Sequence, residues 1–383
     1  LIILTFKYKK LNINIMTQVN ALSLFSGMGG DTLGMINAGL NVQAFCEFSN
    51  AAIQSHLLNF PESTLIEDLS HKKKQDQTNI MLIKDELFLK YKGTIDLIFA
   101  GHPCQGFSNG GKKLPDDPRN TLFREFARAV RLISPKYFIG ENVDGLLTRK
   151  TTDGQLFMDV IIKEFEALGY TISHKVIHVV CYGIPQLRKR LVYVGIRNDL
   201  NKLYNFPKPL NNGKTNLPNL TNIVKFNMTG AIKVLPEDFD MTLIPEQCII
   251  TDLNNDEDEV TKTIHPYLYL KTKTHNAEYK GKVFKSLLSF GKRDSPIHAE
   301  IINILNPCKT IICSYDHQPR LFVPLKNKNG YFIRCLLPDE LKQIQGFPST
   351  FQIYGNKKEQ IKQIGNAVPP PLITHIVNQL IDA

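Results

Sequence analysis

Ala21-Leu22-Ser23-Leu24-Phe25-Ser26-Gly27-Met28-Gly29-Gly30-Asp31 is the stretch that decides the fold. Its first half is a short apolar run and its second half a glycine-rich turn. Leu33 and Ile36 then fall at helical spacing up to a stop at Gly39. Strand, glycine turn and helix open a nucleotide-binding βαβ unit, in which glycines admit a ligand close to the backbone and the helix N-terminus offers unpaired amides. The candidate contacts on this turn are Phe25, Ser26, Gly27, Met28 and Gly30. A second apolar run, 42–45, leads to Glu47, about 20 residues after Gly27, where such units place an acid on ribose hydroxyls. Phe48 is positioned to lie against a purine ring. The segment 65–69 reads as a third short strand that ends in Asp68, an acceptor for an adenine amino group, with Leu69 beside it. A helix cap or solvated loop acid is the ordinary alternative for Asp68, and a core aromatic for Phe48.

The next apolar run, Asp96-Leu97-Ile98-Phe99-Ala100, has the pattern of a strand buried on both faces of a parallel sheet. It delivers Gly101-His102-Pro103-Cys104-Gln105-Gly106-Phe107-Ser108-Asn109-Gly110-Gly111, so that Cys104 stands where ligands bind in open α/β sheets, outside the carboxyl end of a strand. Proline stiffens one side of the thiol and glycines free the other. A buried structural cysteine is the bland reading. A helix with Leu122, Phe123, Phe126, Ala129, Val130 and Ile133 on one face follows, ended by Ser134-Pro135. The strand 137–140 then brings Glu141-Asn142-Val143 to the same edge as Cys104. A second helix, 157–168, precedes paired strands at 172–180 and 191–196, which flank Gln186-Leu187-Arg188-Lys189-Arg190. In an extended segment Arg188 and Arg190 share a face, from which they clamp phosphates or carbonyl oxygens; a solvated basic edge is the alternative.

The chain of 383 residues is long enough for one large domain and a smaller one. Its net charge of +10 fits a polyanionic partner, nucleic acid being the commonest. The seven cysteines are scattered without zinc-ligand spacing, so no metal site is read, and their odd count points to a reducing compartment. No run is long enough to span a membrane. Translation is expected to start at Met16, with residues 1–15 a leader or annotation artefact. From about residue 205, Pro207, Pro209, Pro218 and several asparagines mark a linker. Between Lys262 and Arg293, eight basic residues against one acid are interleaved with Tyr267, Tyr269, Tyr279, Phe284 and Phe290, a composition suited to a nucleic-acid surface. Pro338 starts a further helix, and Gly365-Asn366-Ala367-Val368-Pro369 precedes a final apolar one.

In their order along the chain these motifs resemble those of the DNA (cytosine-5) methyltransferases, over about 21–204 and 330–380. The resemblance implies an α/β fold, a Rossmann-like doubly wound and mostly parallel sheet of the class I methyltransferase type, with a smaller, irregular target-recognition domain. Residues 16–204 are expected to form the catalytic and cofactor-binding domain, 205–330 the recognition domain, and 331–383 a segment returning to the catalytic domain. It further implies S-adenosylmethionine as methyl donor, held by the glycine turn, Glu47, Phe48, Asp68, Leu69, Asn366 and Val368. Cys104 is then the nucleophile that adds to carbon 6 of a flipped cytosine. Glu141 meets ring nitrogen 3, Arg190 holds the carbonyl oxygen, and Arg188 orients Glu141 or a phosphate. His102 departs from the proline or phenylalanine usual before Pro-Cys, and its imidazole is placed to alter the thiol's surroundings. The expected partner is double-stranded DNA, and the expected enzyme is a monomeric, cytoplasmic bacterial or viral modification enzyme paired with a restriction endonuclease, or a nuclear one if eukaryotic. A transfer-RNA cytosine-5 methyltransferase of the same fold and a catalytically inactive DNA-binding homologue share most of these motifs. A dinucleotide oxidoreductase would leave the cysteine loop and the arginine pair unexplained.

Overall fold

The computed structural model describes residues 18–103, 122–234, 246–252, 300–316 and 320–381, together with the backbone of four short strands between 268 and 290. Cys104 and the loop 104–121 lie outside the described residues, as do the side chains of the basic, aromatic-rich segment.

Seven strands form the main sheet: β1 (Asn20–Leu24), β2 (Asn41–Cys46), β3 (Thr64–Leu65), β4 (Leu97–Ala100), β5 (Tyr137–Asn142), β6 (Tyr170–His178) and β7 (Lys189–Arg197). Their order is β3-β2-β1-β4-β5-β7-β6. The first five are parallel, and β7 enters antiparallel between β5 and β6. The sheet reverses direction of winding between β1 and β4, the position at which open α/β sheets open a crevice for ligands. β4 reads LIFA with every residue buried, as a strand covered on both faces requires.

The helices are α1 (Gly30–Asn37), α2 (Asn50–Asn59), α3 (Lys74–Gln77), α4 (Asp85–Leu89), α5 (Phe123–Ile133), α6 (Phe157–Ala167), α7 (Pro338–Ile344), α8 (Lys357–Asn366) and α9 (Pro370–Ile381). One face of the sheet packs with α5 and α6 around Phe126, Phe138, Phe165 and Tyr193. The other packs with α1 and the C-terminal α9, where Met35, Ile139, Val192, Ile373 and Val377 meet. The chain therefore returns from its second half to close the first. Within the β5–β7 ladder, Phe138 faces Gly195 and Tyr193 faces Gly140. A Cβ at either glycine would lie 2.0–2.1 Å from the opposing ring, so each glycine is the seat of an aromatic side chain.

A second sheet combines β8 (Ile232–Val234), β9 (Ile250–Thr251), β14 (Glu300–Ile301), β15 (Leu321–Asn327) and β16 (Gly330–Cys335). Between β9 and β14 lie two antiparallel pairs, β10 (Leu268–Leu270) with β13 (Leu288–Phe290) and β11 (Ala277–Tyr279) with β12 (Lys282–Phe284). The β15–β16 hairpin carries the second sheet past residue 330 to Cys335, beyond the expected boundary. Arg334, 1% exposed, anchors that hairpin by a two-pronged pair with Glu340 at 2.7 and 2.8 Å and by bonds to the carbonyls of Lys225, Asn227 and Cys335.

The sequence reading over-extended β3, which stops at Leu65 and leaves Asp68 in a loop. It under-extended β5 and β7, which hold Glu141 and Arg190 within the strands themselves.

Candidate active site

Each strand end contributes one part. After β1 the chain turns at Phe25 (φ 56°), Gly27 (φ 55°) and Gly29 (φ 94°), and α1 begins at Gly30. The Gly27 amide donates to Glu47 Oε2 and the Ser49 amide to Glu47 Oε1, both at 2.8 Å. Glu47 thus pins the turn, and its remaining lone pairs are left for a ligand. Burial pushes its carboxyl above the usual range, opposed by the Ser49 and Gly27 amides. The turn's glycines have different reasons. A Cβ on Gly27 would face open space, as ligand approach requires, whereas one on Gly30 would lie 2.2 Å from the Val368 carbonyl oxygen and one on Gly29 2.5 Å from the Phe60 ring. Only Gly27 keeps a space free; Gly30 is close-packed by the C-terminal segment and Gly29 by α2's neighbour. Met28, 1% exposed, belongs to the core beneath the turn.

Two buried polar atoms near these elements have no hydrogen-bond partner among the described residues: Ser26 Oγ in the turn and Asp68 Oδ2 in the loop after β3, the latter with Lys84 Nζ at 3.9 Å and His71 Nε2 at 3.8 Å as its nearest cationic groups. Asp68 Oδ1 accepts from the Ser70 hydroxyl at 2.6 Å and amide at 3.0 Å, which hold the carboxyl below the usual range. Phe48 is 48% exposed and Leu69 71% exposed, and Asn366 is also exposed at the end of α8. Exposed apolar side chains together with acceptors that make no hydrogen bond are the groups an adenosine would cover. The residues present fit S-adenosylmethionine.

The chemistry-bearing edge lies on the next strands. Glu141 Oε1 is 2.7 Å from Arg190 Nε, and both side chains are largely buried. A Cβ built on Gly101, just after β4, would stand 3.9 Å from Glu141 Oε2 and 3.7 Å from Val368 Cγ2. The backbone leading into Cys104, the carboxylate, the guanidinium and the cofactor-side segment therefore meet at one point.

Arg188 has a different place from the one expected. It is 2% exposed, and its guanidinium donates to the carbonyls of Ile311 and Gly365, both at 3.1 Å, and of Ala367 at 3.5 Å. Gly365 and Ala367 lie at the C-terminal end of α8, where carbonyls lack intrahelical donors. Arg188 is thus a buried cap on α8, with its hydrogen bonds on backbone rather than on Glu141. Both arginines turn inward while Lys189 between them is exposed, so they share a face as predicted, but only Arg190 pairs with Glu141.

Sequence reasoning gave no role to the two glutamines that complete this junction. Gln186 Oε1 accepts from the Ile311 amide at 3.0 Å, its Nε2 donates to Gln345 Oε1 at 2.6 Å, and Gln345 Nε2 donates to the Ala367 carbonyl at 2.6 Å. Both are fully buried. The available signal was polar side chains in otherwise apolar surroundings, since a buried amide persists only when its hydrogen bonds are made.

A family model described as C-5 cytosine-specific DNA methylase matches residues 19–382. The Type II methyltransferase M1.HphI of Haemophilus parahaemolyticus is 29% identical over 369 residues, which cover 94% of this chain and 86% of that protein. The Type II methyltransferase M.PspPI of Psychrobacter sp. (strain TA137) is 32% identical over 370 residues, with 94% and 78% covered. Among solved structures, the Dnmt2 methyltransferase of S. pombe aligns with a TM-score of 0.61 at 12% identity, covering 95% of this chain and 99% of that one. The methyltransferase EhMeth of Entamoeba histolytica aligns at 0.60 and 18% identity, covering 95% and 98%. At these identities the structures speak for the fold alone. The family model's match over nearly the whole chain places this chain in the C-5 cytosine-specific DNA methylase family.

Proposed function

We infer that the chain is a site-specific DNA (cytosine-5) methyltransferase acting on a cytosine flipped out of the duplex. The observation that carries this reading is the Glu141–Arg190 pair at 2.7 Å beside Gly101, which stands three residues before Cys104 in the sequence. Carbon 5 of cytosine is a weak nucleophile. Addition of the Cys104 thiolate to carbon 6 forms a carbon–sulfur bond and moves the ring's electron pair towards nitrogen 3 and carbon 5. Glu141 delivers a proton to nitrogen 3, and the Arg190 guanidinium stabilises the carboxylate left behind while holding the base's carbonyl oxygen. When bound, S-adenosylmethionine supplies the electrophilic methyl group that ends on carbon 5. Loss of the carbon 5 proton then expels Cys104 and restores the aromatic ring.

Glu47, Ser26 and the Gly27 face would hold the donor's ribose and amino-acid ends, and Phe48 with Asp68 its adenine, with Asn366 and Val368 closing over it. The segment 205–330 would read base edges in the major groove. The Type II relatives support a bacterial modification enzyme paired with a restriction endonuclease of the same target site. A single chain carries every catalytic group named here, which supports action as a monomer, and the bacterial Type II relatives support a cytoplasmic enzyme.

Bisulfite sequencing of a plasmid incubated with the protein and S-adenosylmethionine tests the reading. Protected cytosines at one recurring short sequence are expected, and none with Cys104→Ala, whose affinity for the donor should stay within about twofold. Methyl incorporation into transfer RNA but not duplex DNA would move the assignment to the RNA-modifying alternative. Undiminished transfer by Cys104→Ala would rule out the covalent route.

A further inference from the structure

His102 stands where the family usually carries proline or phenylalanine, two residues before Cys104, and it is 6% exposed. Its imidazole turns inward beneath the strand ends. Nε2 lies 2.8 Å from the Tyr193 hydroxyl on β7, and Nδ1 lies 3.1 Å from Asn142 Nδ2 on β5. The Asn142 amide also donates to the His102 carbonyl at 3.2 Å. Its orientation is set by its other end, because Asn142 Oδ1 accepts from the Val143 amide at 2.8 Å. The Asn142 NH2 is within 3.4 Å of both ring nitrogens and nearer to Nδ1, so Nδ1 as acceptor leaves the Nε2 proton for the Tyr193 hydroxyl. A second proton would find no acceptor, and burial lowers the imidazole pKa to about 4. The ring is therefore neutral near pH 7.

The Tyr193 hydroxyl reaches this point only because of Gly140. The two are cross-strand partners, and a Cβ on Gly140 would lie 2.0 Å from the Tyr193 ring. Gly140 precedes Glu141, and Tyr193 lies three residues after Arg190 on the strand that supplies the guanidinium. The bonds of His102 therefore tie the chain segment entering the cysteine loop to both strands that bear the acid–arginine pair.

On the reading given under the proposed function, we propose that His102 is a positioning residue, a neutral imidazole clamp that joins the root of the Cys104 loop to Asn142 and Tyr193 and so sets the register between nucleophile and acid. Proline or phenylalanine at this position would make neither side-chain bond. In this chain the Gly140–Tyr193 pair and His102 form one unit.

The test uses the full-length protein and a duplex carrying 5-fluorocytosine at its target site, where fluorine blocks the final proton loss and the covalent adduct accumulates. Tyr193→Phe removes a single oxygen and should slow single-turnover adduct formation about fivefold to tenfold, as expected for one buried hydrogen bond. His102→Phe keeps the ring volume and should slow it tenfold to a hundredfold. The double variant should be no slower than His102→Phe alone, since both substitutions cut the same linkage. Donor affinity should stay within twofold throughout, which separates positioning from general damage to the fold. Adduct rates within twofold of wild type in Tyr193→Phe and His102→Phe would overturn the clamp, as would additive losses in the double variant. A wild-type protein that forms no adduct would instead refute the assigned reaction itself.

Discussion

Replacing Arg188 by Met discriminates between an arginine that serves the substrate and one that serves the fold. The guanidinium donates to Ile311 and Gly365 carbonyls at 3.1 Å and sits at the C-terminal end of α8. Met fills much of the volume and donates nothing. The Ala367 carbonyl keeps Gln345 Nε2 at 2.6 Å, so two buried carbonyls are orphaned, at about 1–3 kcal/mol each. Loss of a cation at a helix C-terminus adds about 1–2 kcal/mol. Against this stands the relief of a fully buried charge, the largest cause of the lowered Arg188 pKa, worth several kcal/mol. A net loss of about 2–4 kcal/mol remains, to be measured by urea unfolding at 25 °C. Because α8 leads directly into the segment whose Val368 carbonyl packs on Gly30, donor affinity measured by calorimetry should fall as well. Arg188→Lys should recover less than half of the loss, since an ammonium cannot fork between carbonyls on different segments. If Arg188→Met unfolds within about 0.5 kcal/mol of wild type yet loses a hundredfold or more in kcat, the cap is a misreading and Arg188 acts on substrate.

Three further outcomes follow from the geometry. Glu141→Gln should lower kcat by about 10²–10⁴ while changing DNA affinity only a few-fold, and equal losses in both would reduce Glu141 to a structural partner of Arg190. Phe48→Ala should weaken the donor by about 1–3 kcal/mol in calorimetry with kcat at saturating donor unchanged; unaltered affinity would place the adenine elsewhere. Asp31, 1% exposed and bonded to the Ser23 hydroxyl, has its pKa raised by burial from 3.8 to about 7. Between these values the folded chain keeps a proton that the unfolded chain releases, so stability falls as pH rises from about 4 to 7, by up to about 4 kcal/mol. Asp31→Asn should flatten that slope in urea midpoints taken across the range, and a slope equal to wild type would show that Asp31 titrates normally.

What could be read from the sequence was what is local. The run 21–31 announced strand, turn and helix because its apolar residues and glycines are contiguous, and β1 and α1 form there. The buried strand 97–100 and the helix 123–133 were equally plain, since periodicity reports burial by the element's own neighbours. Glu141 and Arg190 were each identified, but not their 2.7 Å contact, which depends on β7 running antiparallel beside β5. The role of Arg188 was misread for a related reason. Its partners, Ile311, Gly365 and Ala367, lie 123 to 179 residues away, and no spacing rule reaches across such a separation. The same applies to Gln186 and Gln345, 159 residues apart. Gly30 shows a subtler limit. Its glycine was anticipated and the reason was not, because a ligand-facing turn and a turn pressed against Val368 demand the same residue.

The distant contacts also explain how two far ends of the chain come to share one site. The segment 308–311 hangs on the second sheet's side of the molecule, yet the Leu187 amide donates to the Cys308 carbonyl at 2.7 Å and the Cys308 amide to the Pro185 carbonyl at 3.0 Å. Gly365 has no Cβ and so lets the Cys313 backbone approach, where a Cβ would stand 2.4 Å from the Cys313 nitrogen. Around these contacts lie Gln186, Arg188 and Gln345, each bonded to backbone of another segment, with the two glutamines also bonded to each other. A junction built from directional bonds tolerates little sliding, because shifting any segment leaves several buried groups unpaired at once. Arg190, the partner of Glu141, lies two residues from Arg188, and Val368, whose carbonyl packs on Gly30, lies one residue from Ala367. The segments that meet at this junction are thereby held in fixed register.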